Sequence, residues 1–353
     1  MHITLPSFRP HPLVRGGHFQ TVVAAFLPGT KPYKYAAVQH KLTLDDGDQI
    51  VLHDDRPMQW QTGDPVALLV HGLGGSHRSG YMVRGAAKLT ALGVRVFRMD
   101  LRGWGAGFGL NRRPLHAGRS EDARQALEYV LDICSDSPVN VVGFSMGANM
   151  VLKMAGEYAD RPPSRLAGVM GVSPPICLES CMKSMRENFW NRFYDRNFVR
   201  WLQRYHRNRK PLFPDEEVPQ NFPPGLLEYD ALITAPQSGF VDAADYYNRA
   251  SAGPLLKHIS VPALVLAAED DPIIPIANFQ PNLCSATTQL EITPGGGHLG
   301  FIGTASKDPD RRWIDWRVVD WVLTHGKRAS TWHRLHRRDG GVGRRRSNAE
   351  AST

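Results

Sequence analysis

A serine stands between two glycines in Gly143-Phe144-Ser145-Met146-Gly147, and its surroundings give it a chemistry. The β-branched run that begins at Val139 stops at Gly143, and helix formers begin after Gly147. A strand-to-helix turn of this kind holds a serine hydroxyl exposed on a strained backbone, as an acyl-transfer nucleophile requires. Both glycines answer a spatial need, because a Cβ at either place would meet neighbouring strand or helix backbone. The turn also sets Ser145 at a helix N-terminus, whose free N–H groups favour developing negative charge.

A serine becomes nucleophilic when a base takes its proton and a carboxylate orients that base. Of the 14 histidines, only His298 follows a late strand (Gln289 to Thr293) through a glycine run, Gly295-Gly296-Gly297. His116 and His258 lack strand-end context, and His71 is expected to brace a loop. Asp271 is the expected carboxylate, because it follows the apolar strand Val261 to Ala268 and stands four residues before Pro275. Asp270 is expected as a solvated turn residue. Nucleophile, acid and base thus all fall at carboxyl ends of expected strands, where they can converge above one sheet.

The strand Val66 to Val70 runs into His71-Gly72-Leu73-Gly74-Gly75-Ser76. A phosphate loop is excluded here, since neither a Lys-Ser/Thr ending nor a G-x-G-x-x-G with an acidic ribose ligand is present. The expected role is an oxyanion hole, built from the backbone N–H groups of Leu73 and Met146. Serine at position 145 also excludes chemistry that needs a carboxylate nucleophile there. This set of groups calls for no cofactor and no metal. Cys134, Cys177, Cys181 and Cys284 have no metal-ligand or disulfide-framework spacing.

These residues need a scaffold that brings strand ends together. Val38 to Leu44 and Gln49 to His53, joined by Asp45-Asp46-Gly47-Asp48, read as an antiparallel hairpin. Further strands are expected at Val66–Val70, Val94–Leu101, the nucleophile run and Leu166–Val172. Helices are expected at about Tyr81–Leu92, Ser120–Cys134 and after Gly147. That alternation indicates an α/β fold with a mostly parallel central sheet flanked by helices. From Ile176 to about Leu256 the rhythm breaks, and Phe189, Trp190, Phe193, Tyr194, Phe198, Trp201 and Tyr205 recur at helical spacing. This stretch reads as a helical cap whose aromatics mostly form its own core, with some lining an acyl pocket. A last helix is expected at about Arg311–Thr324. The expected organisation is an N-terminal arm (1–36), a core (37–175 and 257–326), a cap (176–256) and a basic disordered tail (327–353).

The chain has 353 residues, 42% of them hydrophobic, which is enough to bury one large core. Its net charge is +8, and the segment 327–353 holds eight Lys or Arg against two acids. The body is therefore nearly neutral. No apolar or aromatic stripe accompanies the basic segment, so specific nucleic-acid binding is not expected and the tail reads as a solvated end, with peripheral contact with an anionic membrane surface as the alternative. Met1 to Pro12 lacks a basic segment followed by an apolar one, and no apolar run approaches bilayer length. With the cysteine pattern, this gives a cytoplasmic expectation.

The chain resembles the α/β-hydrolase superfamily through His71-Gly72-Leu73-Gly74-Gly75-Ser76, Gly143-Phe144-Ser145-Met146-Gly147 and Asp271-Pro272-Ile273-Ile274-Pro275. Within it, Gly17-His18-Phe19-Gln20-Thr21, Gly147-Ala148-Asn149-Met150, Tyr229-Asp230, Asp245-Tyr246-Tyr247 and Gly297-His298-Leu299-Gly300-Phe301 resemble the YheT-like branch of esterases. The resemblance covers roughly residues 5 to 325 and implies the α/β-hydrolase fold and serine carboxylic-ester hydrolysis. Relatives in animals act on lipid esters and carry an N-terminal membrane anchor, which Met1 to Pro12 does not resemble. The expected activity is hydrolysis of small-molecule esters with short- to medium-chain acyl groups, lipid esters among them. The alternatives are an acyltransferase using the same groups and a catalytically silent lipid-binding scaffold.

Overall fold

The computed structural model describes residues 3–27 and 37–326. The basic segment 327–353, to which the alternative of membrane contact belongs, lies outside the described residues, as do residues 1–2 and 28–36 of the arm. Eight strands form one sheet: β1 (Val38–Thr43), β2 (Gln49–Asp55), β3 (Val66–Val70), β4 (Arg95–Asp100), β5 (Val139–Phe144), β6 (Leu166–Val172), β7 (Ala263–Ala268) and β8 (Thr288–Thr293). Their order is β1-β2-β4-β3-β5-β6-β7-β8, with β1 and β2 antiparallel and the rest parallel. The chain leaves β3 for β4 on one side and reaches β5 on the other. An open sheet binds its ligand at such a reversal, in the crevice outside the carboxyl ends of the strands.

Helices α1 (Gly17–Phe26), α2 (Gly80–Ala91), α3 (Ser120–Ile133) and α4 (Met146–Tyr158) precede β6. Between β6 and β7 the described residues contain no strand, but α5 (Leu178–Glu187), α6 (Arg192–Arg209), α7 (Leu226–Tyr229), α8 (Ala235–Gln237) and α9 (Ala243–Ala250). A π-helical turn, Asp230–Thr234, joins α7 to α8. The last helix among the described residues is α10 (Trp313–His325). Strand β3 is buried along its whole length and serves two cores. Val66, Leu68 and Val70 pack towards α3 and α4, while Ala67 and Leu69 pack towards α2 and α10. The period of two of a strand meets the helical spacing of Ala123, Ala126, Leu127 and Val130 on α3.

One helix is added to those expected, and one expectation is corrected. The arm contains a helix, α1, that local sequence does not announce: it begins at Gly16-Gly17, has no side-chain cap and has no acid in its first turn. Contacts with the rest of the fold hold it. On and beside α6, Tyr194 and Leu202 are buried, but Phe189, Trp190, Phe193 and Trp201 are exposed and form no core. No helix among the described residues is long and apolar enough to cross a membrane.

The loop after β4 is tied down by charge. The buried Arg102 guanidinium donates to both Asp122 oxygens at 2.6 and 2.7 Å and to Asp48 at 2.6 Å. Removing one partner of a buried ion pair leaves the other uncompensated, at a cost of about 3–5 kcal/mol. Arg102→Ala is therefore expected to lower unfolding free energy by about that amount in a urea titration; a loss under about 1 kcal/mol would show that water or a neighbour satisfies Asp122.

Candidate active site

Ser145 follows β5 with φ +52° and ψ −122°, a conformation that costs a non-glycine residue about 1–3 kcal/mol. Neighbours hold it there: its N–H donates to Val172 O at 2.9 Å, and its carbonyl accepts from Ala148 and Asn149 at 2.8 and 3.1 Å. The flanking glycines are required by close approach. A Cβ on Gly147 would lie 2.4 Å from His71 O, and one on Gly143 would lie 2.4 Å from Gly147 O. The turn can therefore sit directly on the loop that follows β3.

His298 lies beyond β8 on a loop with several left-handed residues, among them Gly296, Gly297 and Leu299. Its Nδ1 is 2.9 Å from Asp271 Oδ2, and its Nε2 is 2.8 Å from Ser145 Oγ. A carboxylate only accepts, so Nδ1 carries the proton and Nε2 is left to accept from the serine hydroxyl. Asp271 Oδ1 accepts from the N–H groups of Ile273 and Ile274 at 2.8 and 3.0 Å, which fixes the carboxylate's orientation. Its side chain is 1% exposed and that of His298 9%, so little water competes for these bonds. Three side chains distant in sequence thus form one hydrogen-bonded line ending at the serine oxygen.

Leu73 and Met146 line the same cavity as Ser145, which has a volume of about 100 Å³. Among the described residues neither backbone N–H has a hydrogen-bond partner, so both are available to an incoming oxygen. The loop carrying Leu73 is braced from beneath. His71 Nδ1–H donates to Gly72 O at 2.7 Å, and its Nε2 accepts from Leu101 N–H at 3.2 Å. Complete burial holds the His71 imidazole below its ordinary pKa, hence neutral. Asp100 anchors the loop's far end, accepting from the His77 ring and N–H, both at 2.6 Å, from His53 at 2.9 Å and from Ala106 N–H at 2.8 Å. Those donors outweigh burial and hold the Asp100 carboxyl well below the usual range. His53, His77 and Asp100 are also the one group of metal-ligating residues close enough to share an ion among the described residues. Their facing atoms are already engaged with one another, so the cluster is fully accounted for as a brace.

The description "alpha/beta hydrolase fold" belongs to the family model that matches residues 65–213. A protein of Escherichia coli (strain K12) bearing the name "Putative esterase YheT" is 31% identical, over 87% of this chain and 90% of its own. The chain belongs to the α/β-hydrolase family, in its YheT-like branch. A Saccharomyces cerevisiae (strain ATCC 204508 / S288c) relative of this YheT-like hydrolase, named "Medium-chain fatty acid ethyl ester synthase/esterase 2", is 28% identical over 67% of this chain and 58% of its own. The crystal structure of the α/β hydrolase GrgF from Penicillium sp. sh18 shares the fold, with a TM-score of 0.55 at 18% identity over 83% of this chain and 99% of that one. The chain is a carboxylesterase-like hydrolase.

In this YheT-like hydrolase, the supports of His298 are the residues that sequence reasoning missed. Thr21, on α1, accepts the His298 N–H at 2.8 Å and donates its own proton to Gly17 O at 2.7 Å. Gln20 is fully buried, accepting from Ile302 N–H at 2.8 Å and donating to Ile302 O at 3.1 Å. Its neighbour His18 is 3.1 Å from the Tyr194 hydroxyl on α6. Asp270 is not a solvated turn residue: it is half-buried, and its Oδ1 accepts from Gly297 N–H at 2.8 Å. Burial, with Asp271 beside it, pushes its carboxyl up. The one available signal was Gly17-His18-Phe19-Gln20-Thr21 itself, a run of polar residues in an otherwise apolar helix.

Thr21→Val keeps the shape and leaves the His298 N–H without an acceptor, a cost of about 1–3 kcal/mol. Nitrophenyl-ester hydrolysis is expected to fall about tenfold through kcat, with little change in KM. Unchanged kcat in steady-state assays would mean that the loop holds His298 without α1.

Proposed function

We propose that Ser145, His298 and Asp271 are the catalytic groups of a serine ester hydrolase. The hydrogen-bonded line from Asp271 Oδ2 through the imidazole to Ser145 Oγ, at 2.9 and 2.8 Å, carries this reading. In it, Ser145 Oγ attacks the ester carbonyl carbon while His298 Nε2 takes the hydroxyl proton. The Leu73 and Met146 N–H groups receive the charge that develops on the carbonyl oxygen. His298 then gives its proton to the departing alcohol, leaving an acyl group on Ser145. Water, deprotonated by the same imidazole, attacks that acyl group and restores the enzyme. Asp271 keeps its proton-free form and holds the imidazole in place throughout.

The cavity beside Ser145 is lined largely by apolar side chains, including Leu178, Met182, Met185, Phe198 and Ile274. Such a wall suits an acyl chain, and a volume of about 100 Å³ suits one of short to medium length. The segment 176–256, which supplies many of these side chains, acts in this reading as a cap over the sheet. The yeast relative's name, with both "synthase" and "esterase" in it, supports a second reading in which an alcohol takes the place of water at deacylation. Adding ethanol during turnover separates them, since a transferase diverts most acyl product into ethyl ester.

Fluorophosphonate probes are expected to label the wild-type chain and not Ser145→Ala. Steady-state assays on a nitrophenyl-ester chain-length series should give kcat losses of about 10⁶-fold for Ser145→Ala and His298→Ala, and about 10⁴-fold for Asp271→Asn. A Ser145→Ala chain that kept a tenth of wild-type activity would sink the mechanism.

A further inference from the structure

The cavity that opens at Ser145 has a polar end that ester cleavage does not use. Asp230 lines it, at the start of the π-helical turn Asp230–Thr234. Turns of that kind are rare and recur at functional sites. The Asp230 carboxylate accepts from the Thr234 hydroxyl at 2.7 Å and from the Tyr247 hydroxyl at 3.0 Å. Two neutral donors leave part of an ionised carboxylate's accepting capacity unused. Among the described residues no Lys, Arg or His pairs with Asp230, and the one charge acting on it, Asp195, has the same sign. Burial pushes its carboxyl up to about 7, and a cation beside it would favour the ionised form.

The surroundings indicate what that cation is. Tyr229, Tyr246 and Tyr247 line the same cavity. Their hydroxyls are all engaged by protein: Tyr229 is 2.8 Å from His206 Nε2, Tyr246 accepts from Ala117 N–H at 3.0 Å, and Tyr247 donates to Asp230. Their rings pack against one another and against Phe222 and Phe240, so the carboxylate stands in an aromatic surround. No Lys or Arg lines the cavity, and His116 is kept uncharged by burial and by the positive charges of Arg119 and Lys153. A carboxylate beside several electron-rich rings is an arrangement that attracts alkylammonium groups, through charge and cation–π attraction together.

We propose that Asp230 and the rings of Tyr229, Tyr246 and Tyr247 form a subsite for an alkylammonium group, so that the favoured substrates are esters carrying a cationic nitrogen a short apolar chain away from the ester. The proposal rests on the Ser145 hydrolase reading for the ester end and on the cavity for the other. Thr234 and Tyr247 aim the carboxylate, and apolar side chains line the rest of the same cavity.

Two isosteric pairs test it, one for each side of the ester bond. The first is the nitrophenyl ester of 4-(trimethylammonio)butyrate against that of 5,5-dimethylhexanoate; the second is butyrylcholine against 3,3-dimethylbutyl butyrate. At least one pair is expected to show a kcat/KM preference of about tenfold or more for the charged ester in the wild-type chain. In Asp230→Asn that ratio is expected to fall close to one, mainly through KM of the charged ester. Calorimetry on Ser145→Ala supplies a reading that needs no turnover: choline should bind, 3,3-dimethylbutanol should bind more weakly, and Asp230→Asn in that background should abolish the difference. Neutral esters cleaved by the wild type without any charge preference, and no choline binding, overturn the subsite while leaving the hydrolase intact. Choline binding that depends on Asp230 without cleavage of any ester overturns the hydrolase reading alone. The wild-type ester preference and choline binding to Ser145→Ala decide the matter even if Asp230→Asn does not fold.

Discussion

An imidazole can bridge a hydroxyl and a carboxylate only while its own backbone stays still, because a hydrogen bond weakens steeply with fractions of an ångström and tens of degrees. His298 sits on a loop rich in left-handed residues, beyond the last strand of the sheet, where regular pairing gives it no support. Its place is set from outside: Thr21 takes its backbone N–H, Asp270 takes that of Gly297, and Gln20 grips Ile302 at both N–H and carbonyl. The serine side is rigid for a different reason, since Ser145 is locked between β6 and the first turn of α4. The 2.8 Å separation of His298 and Ser145 is thus the meeting of two independently anchored loops.

The same economy of support governs the loop after β3. A glycine-rich loop leaves its N–H groups free for a ligand, and its freedom has to be restrained elsewhere. His71 does this at one end as a buried neutral imidazole and Asp100 at the other as a carboxylate with four N–H donors. Arg102, immediately beyond β4, extends the arrangement to α3 through Asp122 and to the β1–β2 turn through Asp48. Here buried charge holds loops at the carboxyl edge of the sheet, where strand pairing does not reach.

The helical segment between β6 and β7 faces two environments. Its inner side supplies much of the apolar wall beside Ser145 and, through the π-helical turn, the acidic end of the same cavity. Its outer side presents Phe189, Trp190, Phe193 and Trp201 to solvent. Tyr194 joins this segment to His18 on α1, so the arm that positions His298 also touches the helices that shape the cavity.

Much of this protein was fixed locally and could be read from its chain. The alternation of apolar strands with helices gave the mostly parallel sheet, because a strand buried on both faces is largely or wholly apolar, as β3 and β7 are throughout. Glycine spacing gave the turn at Ser145, since only glycine fits where backbone meets backbone. The strand-end positions of Asp271 and His298 followed from the order of the elements. Tertiary structure alone decided the rest. Helix α1 has no cap or acidic first turn to announce it, and it forms because Gln20 and Thr21 satisfy polar groups of a loop nearly 280 residues away. Asp270 and Asp271 are adjacent carboxylates of the same type, and what separates them is whether a backbone N–H or an imidazole lies opposite. The outward aromatics of α6 share their helical period with the inward ones, so only the face that meets the cavity distinguishes Trp201 from Leu202. A periodic pattern says that a helix has sides; the partners it packs against decide which side is inside.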